Sequence, residues 1–127
     1  MTGANFALAR YNSNGTLDGT FGTGGKVITD IAGLNDIALG VAVRSDGKIV
    51  AAGRGYVSGR AVFAVVRYNS NGTLDTTFGS AGKVTTNFVG SLGDQAFAVA
   101  IQPDGRAVVA GSAVVNLNTQ FAVARYQ

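Results

Sequence analysis

Small and large apolar residues alternate along the segment 95–102, which reads QAFAVAIQ. The large side chains of this segment are Phe97, Val99 and Ile101. The segment 38–43, ALGVAV, has the same pattern one repeat earlier. A period of two residues is typical of a β-strand, whose successive side chains point to opposite faces. Since both faces are apolar, both have to be covered by other parts of the fold.

Three further strands are predicted from the apolar runs that surround these segments. An Asp-Gly pair, the strongest short hairpin signal, separates the alternating segment from the next run, 107–111. Another run occurs at 6–11, 63–68 and 121–126, and a fourth at 82–86. We name the four predicted strands a, b, c and d in that order. No stretch has a 3.6-residue apolar period, so essentially no helix is expected.

The chain is built from an internal repeat. The nonapeptide RYNSNGTLD occupies both residues 10–18 and residues 67–75. The first two Arg-Tyr pairs lie 57 residues apart, and a third pair follows after 58 residues. A period of this length indicates a propeller or a solenoid.

These strands fit a stack of four-stranded antiparallel sheets. A meander with two apolar faces is not stable alone, whereas stacking of similar sheets buries both faces, as in propeller blades. The predicted fold class is all-β, with β-propeller-like four-stranded antiparallel blades and about two blades per chain. A β-solenoid is the alternative, although it would favour shorter and more regular coils. Residues 1–127 form a single repeat domain in this interpretation, with a partial blade at 6–31, a complete blade at 37–88 and a partial blade at 95–127.

The repeated residues resemble the delta-60 repeat, a bacterial repeat also treated as a β-propeller repeat domain of unknown function. The pattern of that family runs approximately FALARYNxDGxLDxxFGxGGKVxT and continues to AxAVAxQxDGKIVVAG. Residues 6–29 and 63–86 are similar to the first part, and residues 37–53 and 95–111 to the second. The resemblance implies a propeller-like fold, proteins that are often bacterial and extracellular or at the cell surface, and no catalytic residue. Such repeats usually form longer tandem arrays than the present one.

The composition excludes several classes of function. The chain has no Cys and no His, which removes disulfides, thiolate zinc sites and the Ser–His and Cys–His pairs of hydrolases. Every Asp except Asp30 has a repeat counterpart, which favours a scaffold over a unique active site. The net charge of +3 comes from scattered Lys and Arg, and no apolar run is long enough to span a bilayer. We expect no enzyme, no cofactor, no nucleic-acid partner and no membrane span.

Two segments resemble ligand-binding loops, but ordinary turns explain both better. The segment 12–18, NSNGTLD, has oxygen ligands at alternate positions like a calcium loop, yet it lacks most of the carboxylates and the Glu of such a loop. Asn and Gly are equally typical of turns. The segment 22–26, GTGGK, departs from the phosphate-binding pattern because Lys26 is followed by Val27. We therefore expect neither a metal site nor a phosphate site.

Strand c ends with an arginine in all three copies: Arg10, Arg67 and Arg125. An arginine on a face that stacks against a neighbouring sheet needs a partner for its charge. We expect a structural bidentate ion pair rather than a ligand anchor. The repeated acidic residues offer two sets of partners, Asp18 and Asp75 or Asp36 and Asp94.

The copies differ most in the predicted b–c loops, 54–60 and 112–118, and in the d–a loops, 31–35 and 88–93. In an up-and-down meander these loops lie on the same side, and variable loops on a rigid scaffold are typical of recognition. Neutral drift explains the same differences. The candidate recognition residues, for a carbohydrate or a protein ligand, are Arg54, Tyr56, Arg60, Asn116 and Asn118.

The incomplete blades predict assembly, because open sheet edges pair readily with other chains. Our leading hypothesis is a non-enzymatic structural module that forms a homo-oligomer by strand exchange, as a closed ring of about three or four chains or as a filament. The strands at 6–11 and 121–126 would then compete for one place. The alternatives are a recognition module, lectin-like or protein-binding, that uses the variable loops, and a cryptic hydrolase.

Treatment with EDTA is expected to leave the thermal stability nearly unchanged, because the two NSNGTLD segments offer too few carboxylates for a divalent cation. The melting temperature, followed by circular dichroism with and without EDTA, should shift by less than about 5 °C, which corresponds to roughly 1 kcal/mol for a domain of this size. A larger decrease would indicate that one of these segments binds a metal.

Overall fold

The computed structural model describes residues 3–33, 35–88 and 90–127, and within these ranges the chain forms strands and turns without a helix. Nothing in the described part is a helix long and apolar enough to cross a membrane. The strands in chain order are β1 Phe6–Ala9, β2 Lys26–Thr29, β3 Ile37–Val43, β4 Ile49–Val57, β5 Arg60–Tyr68, β6 Lys83–Thr86, β7 Ser91–Ile101, β8 Ala107–Val115 and β9 Asn118–Tyr126.

The strands form three antiparallel sheets, and neighbours in each sheet are consecutive in sequence. We call β1–β2 sheet 1, β3–β4–β5–β6 sheet 2 and β7–β8–β9 sheet 3. Sheet 2 contains all four predicted strands, a to d. Sheet 1 corresponds to strands c and d, and sheet 3 to strands a, b and c. The predicted all-β fold class, with four-stranded antiparallel blades, is confirmed.

Sheet 2 packs against both other sheets, and a hydrophobic core fills each joint. In the joint with sheet 3, Phe63 belongs to the same buried cluster as Val109. In the joint with sheet 1, Phe6 takes the position that Phe63 has one repeat later, and it packs with Ala51 and Val66. Both phenylalanines are fully buried, and burial of such a side chain contributes about 1.5–3 kcal/mol. The two joints are therefore two copies of one interface.

A hydroxyl pair connects each sheet to the next, buried in the first joint and partly buried in the second. Tyr68 Oη of β5 donates a hydrogen bond to Thr29 Oγ1 of β2 at 2.8 Å. One repeat later, Tyr126 Oη of β9 and Thr86 Oγ1 of β6 lie 2.7 Å apart. Burial raises the pKa of both phenols, and the hydrogen bond to Thr opposes this increase. Because an unpaired buried hydroxyl is costly, these bonds favour a single register between neighbouring sheets.

The predicted b–c loops at 54–60 and 112–118 are wrong, because both segments are mostly strand. Strands β4 and β5 are joined by a turn of two residues, Ser58 and Gly59, which both have positive φ. Asn116 and Leu117 form the equivalent turn between β8 and β9. Two central residues with positive φ match the twist of the flanking strands and let the ladder continue to the turn. The sequence change between repeats thus falls on the end of a hairpin.

The predicted d–a loop at 88–93 is shorter in the structure, because β7 begins at Ser91. Asp94 holds this start, since its carboxylate accepts hydrogen bonds from the Phe88 N–H at 2.9 Å and from the Ser91 hydroxyl. Leu34 and Val89, which fall in the two predicted d–a loops, lie outside the described residues.

Strand a contains a β-bulge in both complete copies. A shift of register leaves Leu39 of β3 and Phe97 of β7 without a partner residue. The adjacent strand b approaches very closely at this point. A Cβ atom at Gly53 would lie 1.9 Å from the carbonyl oxygen of Ile37, and Gly111 is equally crowded. Glycine is therefore required on strand b beside each bulge.

Gly53→Ala should destabilise the protein by about 1–3 kcal/mol, because the new methyl group meets backbone that cannot move aside without breaking the ladder. The matched control is Gly19→Ala, whose Cβ meets no atom within 4 Å and should change the stability by less than about 0.5 kcal/mol. Urea denaturation of both variants provides the measurement. Equal stabilities would show that the bulge relaxes easily.

Candidate functional site

The arginine at the end of β5 contacts an aspartate, an aromatic ring and the next repeat. Arg67 Nε donates to Asp75 Oδ2 at 2.7 Å. The guanidinium lies 4.5 Å from the centre of the Phe78 ring. Its Nη1 donates to the backbone oxygen of Gln127 at 3.2 Å. We call the three side chains an Arg–Asp–Phe cluster.

Arg10 forms a second Arg–Asp–Phe cluster one repeat earlier. Its Nε donates to Asp18 Oδ2 at 2.8 Å, and its guanidinium lies 4.7 Å from the centre of the Phe21 ring. Its Nη1 donates to the backbone oxygen of Ser70, again in the next repeat. Of the two predicted sets of partners, the aspartates that follow strand c are therefore the ones that bind. The predicted bidentate geometry is wrong, because each arginine contacts one carboxylate oxygen and the other oxygen accepts from Thr20 or Thr77.

The other predicted set of partners serves a different purpose. Asp36, like Asp94, is buried at the start of strand a. Its Oδ2 accepts a hydrogen bond from the Ile31 N–H at 2.7 Å. These two carboxylates hold the d–a turns and do not form ion pairs with the arginines of strand c.

Asp75 binds a second cation. Lys48 Nζ lies 2.8 Å from the same carboxylate oxygen that Arg67 contacts. The hydrogen bond from Lys48 is the largest of the effects that hold the pKa of the Asp75 carboxyl well below its usual range, followed by that from Thr77, while burial opposes them. Asp75 is only 3% exposed. The complete arrangement is thus a buried carboxylate between a lysine directly before strand b and an arginine of strand c.

Two other positions, at Asp18 and at Arg106, each contain one half of this arrangement among the described residues. The pKa of Asp18 is lowered, first by its hydrogen bonds with Thr20 and also by Arg10. Within the described ranges, however, Asp18 forms no second ion pair. Arg106 occupies the position of Lys48 one repeat later, and it forms a longer pair with Asp104 at 3.5 Å. Among the described residues there is thus one aspartate without a cation from the start of strand b, and one such cation without the aspartate that follows strand c.

Arg125 is the third arginine of strand c, and it is exposed. It lies opposite Val108 in the ladder, as Arg67 lies opposite Val50. In the described part of the chain it forms no ion pair. The position is the same as that of Arg67, but no aspartate or aromatic ring among the described residues contacts Arg125.

The outer face of sheet 3 exposes apolar side chains. Phe121 of β9 has the position of Phe6 and Phe63, yet it is 84% exposed while both of the others are completely buried. Val123 and Phe97 on the same sheet are also exposed. Since the other two copies of this face are covered by a neighbouring sheet, this one lacks its neighbour.

An apolar groove lies at the opposite end of the stack, between β1 and the start of sheet 2. It has a volume of about 420 Å³ and is lined by residues of β1 and β3, with Phe21 and Ile49 at its sides. Leu39, Val41 and Val43 of β3 are exposed there. Strands a and b would lie in this place if sheet 1 had all four strands.

The candidate recognition residues lie on two hairpins in different sheets. Arg54 and Tyr56 belong to β4, and the Arg54 guanidinium lies 5.3 Å from the centre of the Tyr56 ring. Arg60 is the first residue of β5, and Asn118 is the first of β9. Asn116 lies in the second turn. The placement of these residues in loops is therefore wrong for all but Asn116, because the hairpin ladders extend further than predicted.

The NSNGTLD segments use their oxygen atoms within the turn. Asn14 Oδ1 accepts hydrogen bonds from both the N–H and the hydroxyl of Thr16. Asn12 Nδ2 donates to Thr16 Oγ1 at 3.1 Å. The described residues contain no group of three His, Cys, Asp or Glu side chains that could hold a metal ion.

Sequence reasoning missed the role of Lys48 and Arg106. Both follow an Asp-Gly turn by one residue, at the same position of two repeats. This recurrence of a basic residue was a visible signal, but nothing in the spacing alone connects it with an aspartate 27 residues later.

Arg67→Ala should destabilise the protein by about 2–3 kcal/mol, because a buried carboxylate loses one of its two cations. Arg60→Ala, at an exposed hairpin end, should cost less than about 0.5 kcal/mol. Chemical denaturation of the two variants gives the comparison. Equal effects would mean that the Asp75 pair contributes no more than a surface charge.

The family comparison matches the part of each repeat that contains these clusters. The sequence profile of a family described as a domain of unknown function (DUF5122) beta-propeller matches residues 1–21, 44–78 and 102–127, more than half of the chain. The middle segment runs from the a–b turn to Phe78 and includes Lys48, Arg67 and Asp75. No curated protein matched the chain. The chain thus belongs to the DUF5122 β-propeller family, whose function is unknown.

Proposed function

We propose that this chain is a non-enzymatic structural module whose blades assemble with those of further copies of the same chain. The observation that carries the proposal is the exposure of Phe121, the third copy of a side chain that is completely buried in the first two. An exposed aromatic group on an apolar sheet face is a typical feature of an interaction surface.

The intramolecular joints supply the template for the contact between copies. Phe6 and Phe63 each face the inner side of the following sheet, as in the cluster with Ala51 and Val66. Phe121 lies on the face of sheet 3 that corresponds to these two positions. The same type of sheet, supplied by a second copy, would bury it in the same way.

The strands of the two terminal sheets complement one another. Sheet 3 has strands a, b and c, whereas sheet 1 has c and d. One composite blade of four strands therefore forms from sheet 3 of one copy and sheet 1 of the next, with one strand c left over. The apolar groove beside β1 and β3 is the place that strands a and b of the partner would fill.

Charge complementarity supports the same pairing. In sheet 2, Lys48, directly before strand b, and the loop after strand c meet at Asp75. In the composite blade, Arg106 of one copy would stand in the position of Lys48, and Asp18 of the next in that of Asp75. Each residue would then gain the partner that the described residues of its own chain do not provide.

Repetition of this joint gives a closed ring or a filament. Each added chain supplies two blades, so a ring of about three or four chains falls within the usual range of propeller sizes. A joint whose rotation does not close would produce a filament instead. The similarity of residues 6–29 and 63–86 to the delta-60 pattern favours a bacterial protein at the cell surface or outside the cell.

A recognition module is the second candidate, favoured by the differences between the two b–c hairpin ends. Beside the first hairpin lies a groove of about 490 Å³ lined by residues that include Val57, Arg60 and Thr85. The stacked pair of Arg54 and Tyr56 offers a planar cationic surface near the same end. A screen against carbohydrate and protein ligands tests this function, and loss of binding on Arg60→Ala would support it.

The wild-type chain is expected to have a solution mass well above 12.9 kDa, the mass of one chain. Phe121→Ser should reduce the mass to that of one chain, because it removes the central apolar side chain of the joint. Leu117→Ser is the matched control, since Leu117 is 85% exposed but lies in the hairpin turn. Multi-angle light scattering measures all three masses.

A cooperatively folded wild-type monomer at micromolar concentration would contradict the proposal. An equal loss of mass in Leu117→Ser would also contradict it, because the association would then depend on exposed apolar groups in general.

A further inference from the structure

We infer that Arg125 of one copy replaces Arg10 of the next copy at Asp18, so that β9 displaces β1 from the composite blade. The inference rests on the proposed assembly, and it decides which of the two competing strands c is used. It also gives Arg125 a partner, which the described part of the single chain does not provide.

The contacts of Arg10 and Arg67 define what Arg125 would bind. Both arginines pair with the aspartate eight residues later, stack on a phenylalanine and donate to a backbone oxygen of the next repeat. For Arg125 the corresponding groups in the second copy are Asp18, Phe21 and the backbone oxygen of Ser70. All three are now used by Arg10 of that copy, so Arg125 and Arg10 are direct competitors.

The pairing of the two strands favours β9. It pairs with β8 over nine residues, from Ala107↔Tyr126 to Val115↔Asn118, and a turn of two residues joins the two strands. In contrast, β1 pairs with β2 over four residues, and a long connection separates them. Because the turn is short, less chain entropy is lost when β9 pairs with β8 than when β1 pairs with β2. Release of β9 would therefore break more of the hydrogen bonds between paired strands than release of β1 would.

The tyrosine–threonine bonds point to the same strand. Tyr126, directly after Arg125, already bonds to Thr86 within its own chain. Tyr11, directly after Arg10, is 63% exposed and bonds to no threonine among the described residues. Displacement of β1 thus breaks no such bond, whereas displacement of β9 breaks one.

The core between sheets 1 and 2 allows Phe121 of one copy to take the place of Phe6 of the next. Phe6 would leave the cluster that contains Ala51 and Val66, and Phe121 of the other copy would enter it. The two residues are identical and occupy the same repeat position. The exchange returns a phenylalanine to the core, places Val123 where the partly buried Leu8 now packs, and buries the exposed face of sheet 3.

Arg125→Ala and Arg10→Ala form a matched pair of variants that test the inference. The concentration at half assembly, measured by analytical ultracentrifugation, should rise at least about tenfold for Arg125→Ala, because Asp18 would lose its arginine in the joint. It should stay unchanged or fall for Arg10→Ala, because Arg10 contacts Asp18 only in the free chain and its loss removes the competitor of Arg125. Circular dichroism confirms that both variants fold, and Arg60→Ala controls for the loss of one positive charge.

Three outcomes would overturn the inference while the proposed assembly stands: a rise in the concentration at half assembly for Arg10→Ala, equal effects of both variants, or no effect of Arg125→Ala. Each of them means that β1 remains in the composite blade or that the joint uses other contacts. A wild-type chain that stays monomeric at all concentrations would overturn the proposed function itself.

Discussion

Apolar side chains on both faces of every sheet are the constraint on which the rest of this structure depends. A sheet alone would expose both faces to water, a sheet covered on one side would expose the other, and only a sheet between two others buries both. Sheet 2 has this position, and its Phe63 and Val66 point into two different cores. The polar groups at the joints are fitted to this stacking. The Tyr68–Thr29 and Tyr126–Thr86 bonds fix its register, and the Arg–Asp–Phe clusters close its rim.

The buried carboxylate of Asp75 is the second constraint on the structure. Asp75 is removed from water, so its charge has to be balanced by cations that belong to different strands. Lys48 comes from the start of strand b and Arg67 from the end of strand c, and together they join two parts of one blade through a single oxygen atom. An ion pair of this kind contributes less to net stability than an apolar core does, but it penalises every arrangement in which one partner is missing. That property makes it suited to specify which strands meet.

The sequence predicted the strands wherever a period of two residues was combined with a distinctive turn. The segment 95–102 and the Asp-Gly turns gave strands a and b in this way, and the exact repeat of RYNSNGTLD gave the order of the elements. The ends of the b–c hairpins were missed, because Asn116-Leu117 is not a distinctive turn pair and because the Arg, Tyr and Asn that flank both turns are typical of loops. Ion pairs between distant positions were only partly predictable. Asp75 lies eight residues after Arg67 and was a candidate partner, whereas its contact with Lys48 depends on the stacking of strands that no local pattern encodes.

The equivalence of the two joints has a consequence for how such a chain can change in length. Each joint uses the same phenylalanine, the same tyrosine–threonine bond and the same arginine cluster, one repeat apart. A gene segment that encodes one unit of 57 or 58 residues can therefore be duplicated or deleted in frame without creating an unfamiliar interface. The architecture is thus open to growth by whole units, while a change of a few residues within a unit would misalign the clusters that hold neighbouring sheets together.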